Sequence, residues 1–238
     1  MDPRLLILET SGRIGQVGLA LGSRVLTWRR LDEARRHARD LAPSVAELLR
    51  EQQWKPRDVQ AVVVSRGPGS YTGLRVGIMS AKTFAYATGC ALIAVDTFAA
   101  IAANTPAAVD SVEALADAQQ GKVYVQRYGR TGGASAWSPQ DPLTILSLDL
   151  WIARHSVSSW VTGPGLEINR PKLPPDFRVV DPAFWHPSLE SLLQIGLGRF
   201  ERQEKDDLLT VEPLYLRTSA AEEKWETLGK SAEKGPVP

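Results

Sequence analysis

A glycine-rich turn between an apolar run and a helix-like run constrains this chain more than any other feature. Residues 65–89 read SRGPGSYTGLRVGIMSAKTFAYATG. Gly67 and Gly69 can take positive φ, and Pro68 stiffens the turn between them. Because the run before the turn is apolar and the stretch closes on a glycine suited to a C-cap, the pattern predicts a strand, a tight turn and a helix over 71–88.

The start of this helix is a possible anion site, because free N–H groups at a helix N-terminus attract negative charge. Ser70 or Thr72 can cap the first of those amides. Known phosphate motifs do not fit, however. A P-loop requires Lys and then Ser or Thr after its last glycine, whereas Gly73 is followed by Leu74 and Arg75. The dinucleotide fingerprint requires glycine where Thr72 stands. A structural turn that also forms a partner surface is favoured over a bound anion or nucleotide, and both stay open.

Small side chains recur along the same helix. They are Gly73, Gly77, Ser80, Ala81, Ala85 and Thr88. A glycine in a helix interior costs about 1 kcal/mol relative to alanine, so Gly77 requires a packing reason. Either Gly77 packs on this chain's own sheet, or it lets a helix of another protein come close. On the second interpretation, Gly77→Leu would disrupt partner binding more than folding.

The first hundred residues predict a mixed sheet with helices packed on it. Apolar or alternating runs predict strands at residues 5–8, 17–21, 24–30, 60–65 and 91–95, of which the first three form an antiparallel meander. A helical pattern covers Ala34–Gln52, with Pro43 inside it as a kink or a first turn. A short helix follows over 98–103, capped by Asp96 or Thr97.

A stretch of small residues around Pro106 predicts a boundary between a first lobe, residues 1–105, and a second lobe, residues 106–229. The second lobe opens with a hairpin whose turn contains Gln119 and Gln120. Residues 230–238 are polar and are expected to be disordered. The predicted elements of the second lobe are the hairpin strands 112–118 and 122–128, weaker strands at 160–162 and 178–180, and a helix at 187–200.

The charge balance argues against a chain that binds nucleic acid mainly by itself. Lys and Arg number 28 and Asp and Glu number 27, so the net charge is +1, whereas RNA-binding domains usually carry a basic excess. A single cysteine, Cys90, excludes an internal disulfide and suits a reducing compartment. The first apolar run is too short for a signal peptide, and no run approaches the ~18 apolar residues of a spanning helix. We therefore expect a cytoplasmic protein with no membrane contact.

The turn after the first strand reads Glu9-Thr10-Ser11-Gly12. It is a candidate phosphate hairpin of the superfamily that contains actin, Hsp70 and the sugar kinases. Glu9 stands where such proteins usually have Asp, and the extra methylene changes the reach to a metal–phosphate. Glu9, Thr10 and Ser11 therefore count only as vestigial candidates for a nucleotide site.

The three histidines do not form a metal motif. They are His37, His155 and His186, and the position one helical turn after His37 is Leu41. A zinc site on a helix requires both imidazole rings on one face. The sequence also lacks the Gly-x-Ser-x-Gly elbow of many hydrolases. We expect no metal, no cofactor and no catalytic residue.

With these residues in view, the chain resembles the bacterial TsaB (YeaZ) family. SRGPGSYTGLRVG is similar to the GRGPGSFTGLRIG-like signature of that family. The resemblance extends to LLILETSGRIGQVGLAL, to AVDTF and to PLYLRTSAAEEKW, and so spans nearly the whole chain. ADAQQGKVYVQRY looks like the family's DAR-x-x-E-V-Y segment, with Gln119 in place of Arg and Lys122 in place of Glu.

The resemblance implies a two-lobed α/β fold of the actin, Hsp70 and sugar-kinase type, called ASKHA. It implies a non-catalytic scaffold for N6-threonylcarbamoylation of adenosine 37 in tRNA. Such a subunit pairs with the transferase TsaD, is joined by the ATPase TsaE, meets tRNA only through the complex, and homodimerises when TsaD is absent. An ATP-binding phosphotransferase of the same superfamily and a metalloprotease are the rival functions. The implied partner-interface residues are His37, Leu41, Val45, Ser70, Tyr71, Thr72, Gly73, Leu74, Arg75, Gly77, Ser80 and Ala81.

Overall fold

The computed structural model describes residues 2–31, 37–130, 136–155 and 159–216. These residues form two mixed β-sheets flanked by helices, as the α/β prediction requires. The strands are β1 (Arg4–Glu9), β2 (Gln16–Leu21), β3 (Arg24–Arg30), β4 (Ala61–Gly67), β5 (Ala91–Asp96), β6 (Ser111–Asp117), β7 (Lys122–Gly129), β8 (Ser138–Pro139), β9 (Thr144–Ser147), β10 (Trp160–Thr162) and β11 (Arg178–Val179). The helices are α1 (His37–Glu51), α2 (Tyr71–Thr88), α3 (Thr97–Ala103), α4 (Leu148–Arg154), α5 (Leu166–Asn169) and α6 (Leu189–Glu201).

The first sheet has the strand order β3-β2-β1-β4-β5. The predicted meander is confirmed, because β1, β2 and β3 pair in antiparallel fashion, whereas β4 and β5 continue the sheet in parallel. Alternate side chains of β1 enter two different cores. Leu6 and Leu8 pack under α1 and α2, while Leu5 and Ile7 pack under α6. The sheet is therefore covered on both faces, which explains why its central strands read as continuous apolar runs.

Helix α2 has the bounds that the sequence predicts. Ser70 is its N-cap, with the side-chain oxygen accepting from the Gly73 N–H. Gly89 ends the helix in the left-handed region at φ 78°, which favours glycine. In α1, Pro43 lies in the helix interior with its ring exposed. The predicted start of that helix at Ala34 lies outside the described residues.

The second sheet has the order β11-β10-β6-β7-β8, with β9 also paired to β7. The predicted hairpin is confirmed as β6 and β7, and the strand predictions at 160–162 and 178–180 correspond to β10 and β11. The sequence analysis did not find β8, β9 or α4. Two of these are only two and four residues long, too short for a periodic pattern to be visible.

Helix α6 corrects the predicted division into lobes. Its buried side chains Leu189, Leu192 and Leu193 join the core on the first sheet, together with Leu5 and Ile7. The chain after residue 201 also follows the first sheet. The prediction placed all of residues 106–229 in the second lobe, whereas residues 189–216 pack on the first. An amphipathic sequence pattern shows that a helix packs on a sheet, but it does not show which sheet that is.

A buried polar cluster fastens α4 to the second sheet. Glu113 on β6 accepts hydrogen bonds from Trp151 Nε1 at 2.8 Å and from His155 Nδ1 at 3.0 Å. The His155 ring stacks on Phe177 with 4.2 Å between centroids. Burial by itself would raise the pKa of Glu113, but the hydrogen bonds from His155 and Trp151 and the charges of His155 and Arg127 hold it below its usual value.

We expect Glu113→Gln to lower the free energy of unfolding at pH 7 by about 1–3 kcal/mol, because a buried charge-assisted network loses its acceptor charge. The folded-state pKa lies below the ordinary value of 4.5. The carboxylate therefore stabilises the fold fully above that value and loses this contribution as pH falls through the lowered folded-state pKa. Urea unfolding at pH 7 and at pH 4 should show the gap between wild type and variant narrowing in acid.

Glu167→Gln is the matched control. Glu167 also binds a histidine, with Oε1 2.9 Å from His186 Nε2, but both of these side chains are exposed. An exposed pair contributes about 0–1 kcal/mol, so this variant should unfold close to wild type at both pH values. Equal losses in the two variants would contradict the structural role assigned to Glu113.

Candidate functional site

The turn between β1 and β2 is buried inside the first lobe. Glu9 is 2% exposed and Thr10 and Ser11 are buried with it. Glu9 Oε1 accepts from the Ser11 N–H at 2.6 Å and from Ser11 Oγ at 2.5 Å, and the Thr10 N–H donates to Ser65 Oγ. Burial raises the pKa of Glu9, against the lowering effect of the hydrogen bonds from Ser11, Ser65 and Gly12. This carboxyl group is therefore poorly placed to bind a metal–phosphate from solvent.

The glycine-rich loop and the first turns of α2 lie directly against this turn. The Ser70 N–H donates to the Ser11 carbonyl at 2.7 Å. A β-carbon added to Gly69 would lie 2.5 Å from the Ser11 carbonyl oxygen. One added to Gly73 would lie 2.1 Å from the Thr10 carbonyl oxygen, and one added to Gly77 would lie 2.1 Å from Thr10 Oγ1. No side chain fits at these positions, so the glycines are required by contacts within the chain.

Large apolar side chains occupy the opposite face of α2. Met79 is 59% exposed and Tyr86 is 84% exposed, and they lie seven residues apart, on one face of the helix. Thr72 and Arg75 are exposed on the same face. The sequence analysis missed Met79 and Tyr86 because it searched this helix for small residues. Their spacing from Arg75, at i+4 and i+11, was the signal that could have found them.

An aromatic cluster closes the N-terminal end of this face. The rings of Tyr71 and Tyr215 lie 4.8 Å apart, and the Arg75 guanidinium lies 4.1 Å above the Tyr71 ring. Arg75 Nε also donates to Tyr215 Oη at 2.9 Å. Cation–π contacts and a hydrogen bond therefore hold Arg75 in one orientation. Tyr215 comes from the end of the described chain, so two distant segments build this corner.

An ion pair occupies the carboxyl ends of β4 and β5. Arg66 Nε lies 2.5 Å from Asp96 Oδ1. Asp96 was predicted as a side-chain cap of α3, but its side chain makes no capping hydrogen bond, and Thr97 Oγ1 instead accepts from the Gly67 N–H. A shallow cavity of about 320 Å³ borders Arg66. Its other lining residues are Asp206, Asp207, Thr210, Val211, Glu212, Pro213 and Leu214.

Among the residues that the structure describes, no group of three or more His, Cys, Asp or Glu side chains is arranged so that it could hold a metal ion. His155 and His186 each contact a different glutamate, Glu113 and Glu167. The side chain of His37 lies outside the described residues. The same described part of the chain contains no helix long and apolar enough to cross a membrane.

Comparison with known proteins then identifies the chain's relatives. The family model described as TsaD, tRNA N6-adenosine threonylcarbamoyltransferase, matches residues 32–139. The Escherichia coli tRNA threonylcarbamoyladenosine biosynthesis protein TsaB is 29% identical over 197 residues, covering 80% of this chain and 84% of that protein. The Bacillus subtilis protein of the same name is 35% identical over 97 residues, but this match spans only 41% of this chain and 42% of that protein. The structure of YeaZ from Pseudomonas aeruginosa superposes with a TM-score of 0.76 at 26% identity, covering 90% of this chain and all of that one.

The chain is similar to proteins of the TsaB (YeaZ) family. The structural match confirms the predicted ASKHA-like α/β fold. The TsaD family model ends at residue 139, so the region that resembles the transferase includes α1 and α2 but not the segment that carries Tyr215.

The interface residues implied by the TsaB resemblance separate into two groups. Leu41, Gly73, Leu74, Gly77 and Ala81 are buried within the chain, which corrects the expectation that they form a contact surface. The remaining described positions are accessible. They are Val45, Ser70, Tyr71, Thr72, Arg75 and Ser80.

The structure decides between the two interpretations of Gly77. The space beside Gly77 is filled by Thr10 of the same chain, so no helix of another protein can approach there. The packing therefore does not support the expectation that Gly77→Leu disrupts partner binding more than folding. A side chain at position 77 would act first on the fold.

We expect Gly77→Ala to destabilise the protein by about 1–3 kcal/mol, because the added methyl group overpacks the contact with Thr10. Thr10→Ala removes the obstructing atoms, so the double variant should recover part of that loss in a double-mutant cycle. Equilibrium urea unfolding measures each free energy.

Gly198→Ala on α6 is the control for helix propensity. A β-carbon there would meet only Arg202 Nη1 at 3.5 Å, an ordinary contact. The substitution should stabilise the protein by up to about 1 kcal/mol. If Gly77→Ala also stabilised it, the close packing of Gly77 on Thr10 would be refuted.

Proposed function

We propose that this chain is a non-catalytic subunit in the biosynthesis of threonylcarbamoyladenosine in tRNA, and that it acts by binding a TsaD-type transferase. The E. coli and B. subtilis relatives are named as biosynthesis proteins of threonylcarbamoyladenosine in tRNA, which supports the pathway. The match to the transferase family model supports the partner, because paralogous chains often associate through related surfaces. A TsaE-type ATPase joins this pair, and tRNA is contacted through the assembled complex.

The exposed face of α2 carries this proposal. A helix that packs well on its own sheet gains nothing within the chain from large apolar groups on its outer face. Met79 and Tyr86 nevertheless expose more than half of their surface there. Contiguous exposed apolar surface of this kind is typical of a protein–protein interface, where its burial contributes about 25 cal/mol per Å².

Helix α1 extends the same surface. It packs beside α2 through the half-buried side chains of Val45, Val76 and Phe84. Of its exposed side chains, Ala42, Pro43 and Ala46 are short, whereas Arg39, Glu47 and Arg50 are long and charged. Small outer side chains allow a neighbouring helix to approach closely. The close approach of a partner helix, which the sequence analysis attributed to Gly77, is thus assigned to α1. Helix α2 supplies the large apolar side chains, Met79 and Tyr86.

We propose that the same region also pairs two copies of this chain. The transferase family model covers α1 and α2, so a TsaD-type subunit has counterparts of these helices. A surface that binds the related helices of the transferase binds the same surface of a second copy of this chain through the same contacts, but with a poorer fit. We propose that the homodimer forms in the absence of the transferase and gives way to the heterodimer in its presence.

The rival enzymatic functions find less support. A phosphotransferase would require a carboxylate that reaches a metal–phosphate, whereas Glu9 is buried and its Oε1 binds Ser11. A metalloprotease would require paired metal ligands, whereas His155 and His186 are each engaged by separate glutamates.

Replacing Met79 by Asp or Tyr86 by Ala should weaken binding to a TsaD-type transferase from the same organism at least about tenfold, because each change removes a large apolar anchor. Both side chains point into solvent, so unfolding free energies should stay close to wild type. Size exclusion with light scattering gives the stoichiometry, and titration calorimetry gives the affinity.

Ile168→Asp supplies the control, since Ile168 is 61% exposed but lies on α5 in the second lobe. Its affinity for the transferase should match wild type. Absence of any complex with the wild-type chain would reject the proposed function. Equal weakening by the control would move the interface away from α2.

Glu9→Gln tests the non-catalytic role. Burial raises the folded-state pKa of Glu9, so its protonated form stabilises the fold at low pH and this contribution is lost as pH rises through the folded-state pKa. Glutamine cannot ionise and keeps the acceptor for Ser11. The variant should therefore be at least as stable as wild type at pH 8, with the difference vanishing near pH 4. The reconstituted complex should keep its tRNA-modifying activity, and a large loss of activity in a folded variant would mean that the hairpin takes part in the reaction.

A further inference from the structure

Residues 204–216, here called the strap, return from α6 across the first lobe. The strap begins on the open edge of the first sheet, where the Asp206 N–H donates to the Leu92 carbonyl and Asp206 Oδ2 accepts from the Ala94 N–H. It then runs beside α2, and Lys82 Nζ donates to the carbonyls of Val211 at 3.2 Å and Leu209 at 3.4 Å. The strap is therefore fixed at several points along its length.

The strap contains a tight turn that presents one large apolar side chain. Asp207 Oδ1 accepts from the Leu209 N–H at 2.7 Å and from the Thr210 N–H at 3.1 Å, and the Val211 N–H donates to the Asp207 carbonyl. These backbone hydrogen bonds hold the pKa of Asp207 below its usual value. Leu209, at the tip of the turn, is 87% exposed. A fixed turn loses little conformational entropy when its tip enters a pocket, which favours binding.

The exposed leucine is continuous with the surface of α2. Lys82, which holds the Leu209 carbonyl, lies on α2 between Met79 and Tyr86. At the other end of the strap, Tyr215 stacks on Tyr71 of the same helix. One patch therefore combines side chains from α2 with side chains from the strap.

We infer that the strap is part of the docking surface and that Leu209 enters an apolar pocket of the TsaD-type subunit. This inference rests on the proposed function and extends its surface beyond the helices. The strap lies outside residues 32–139, the region that resembles the transferase. The strap therefore distinguishes this chain from the TsaD-type subunit, whereas the helices α1 and α2 resemble those of the transferase.

The exposed side chains that flank the turn are acidic, and they indicate the kind of partner surface that the strap fits. Asp207 and Glu212 flank the turn and are exposed. Arg75 and Lys82 on the α2 face are already engaged within the chain, by Tyr215 and by the strap carbonyls, so the complementary basic groups come from the partner. The strap thus fits a partner whose apolar pocket is bordered by further basic groups.

Leu209→Ala in the full chain tests the inference. Calorimetric titration with the TsaD-type subunit should show at least about tenfold weaker binding, as for truncation of an interface anchor. Asp207→Ala removes no apolar contact but releases the turn, and it should weaken binding about threefold to tenfold through lost preorganisation. Leu150→Ala is the matched control, because Leu150 is 40% exposed on α4 in the second lobe and its truncation should leave the affinity unchanged.

The outcomes separate this inference from the function on which it rests. If the wild-type chain does not bind the transferase, both fail. If Met79→Asp weakens binding and Leu209→Ala does not, the strap is not part of the interface and the proposed function stands. If Leu209→Ala dissociates the homodimer while the heterodimer keeps its affinity, the pocket belongs to a second copy and the inference is overturned.

Discussion

The contact between the first hairpin turn and the start of α2 fixes the geometry of the first lobe. Thr10 presents its carbonyl oxygen to Gly73 and its hydroxyl to Gly77, at distances that leave no room for a β-carbon. The Ser70 N–H adds a hydrogen bond to the Ser11 carbonyl. Because the contacts of Gly73 and Ser70 involve backbone on both sides, they set how deeply α2 lies on the sheet and how it is rotated about its axis.

That rotation decides what the helix shows to solvent. With the glycines turned inward, the face through Thr72, Met79 and Tyr86 turns outward. The same contact buries Glu9, the carboxylate that a nucleotide-binding hairpin would need at its surface. One packing arrangement therefore buries the carboxylate of the first hairpin and exposes the apolar side chains of α2 on which the proposed partner role depends.

The end of the chain completes this surface. Helix α6 covers the face of the first sheet opposite α2, and the strap then crosses to the side of α2 itself. The second sheet has a core around β6 and β7 to which α3 of the first lobe also contributes Phe98, Ile101 and Ala102, while the residues that follow the second lobe in sequence stabilise the first lobe. Tyr215 and Leu209 lie beside α2 only because the chain returns in this way.

The sequence by itself determined the features that depend on neighbouring residues. The bounds of α2, its Ser70 cap and its Gly89 terminus, the β1–β3 meander and the β6–β7 hairpin all follow from local turn chemistry and periodicity. Only the tertiary structure decided which side chains pack within the chain and which are exposed to solvent. A small residue on a helix has no preference between its own sheet and a foreign helix, so Gly77 could be assigned only once Thr10 was placed beside it, 67 positions earlier in the chain. In the same way, the burial of Glu9, the lobe of α6 and the position of Leu209 arise from contacts between distant segments, because packing energy depends on proximity in space and not on proximity in sequence.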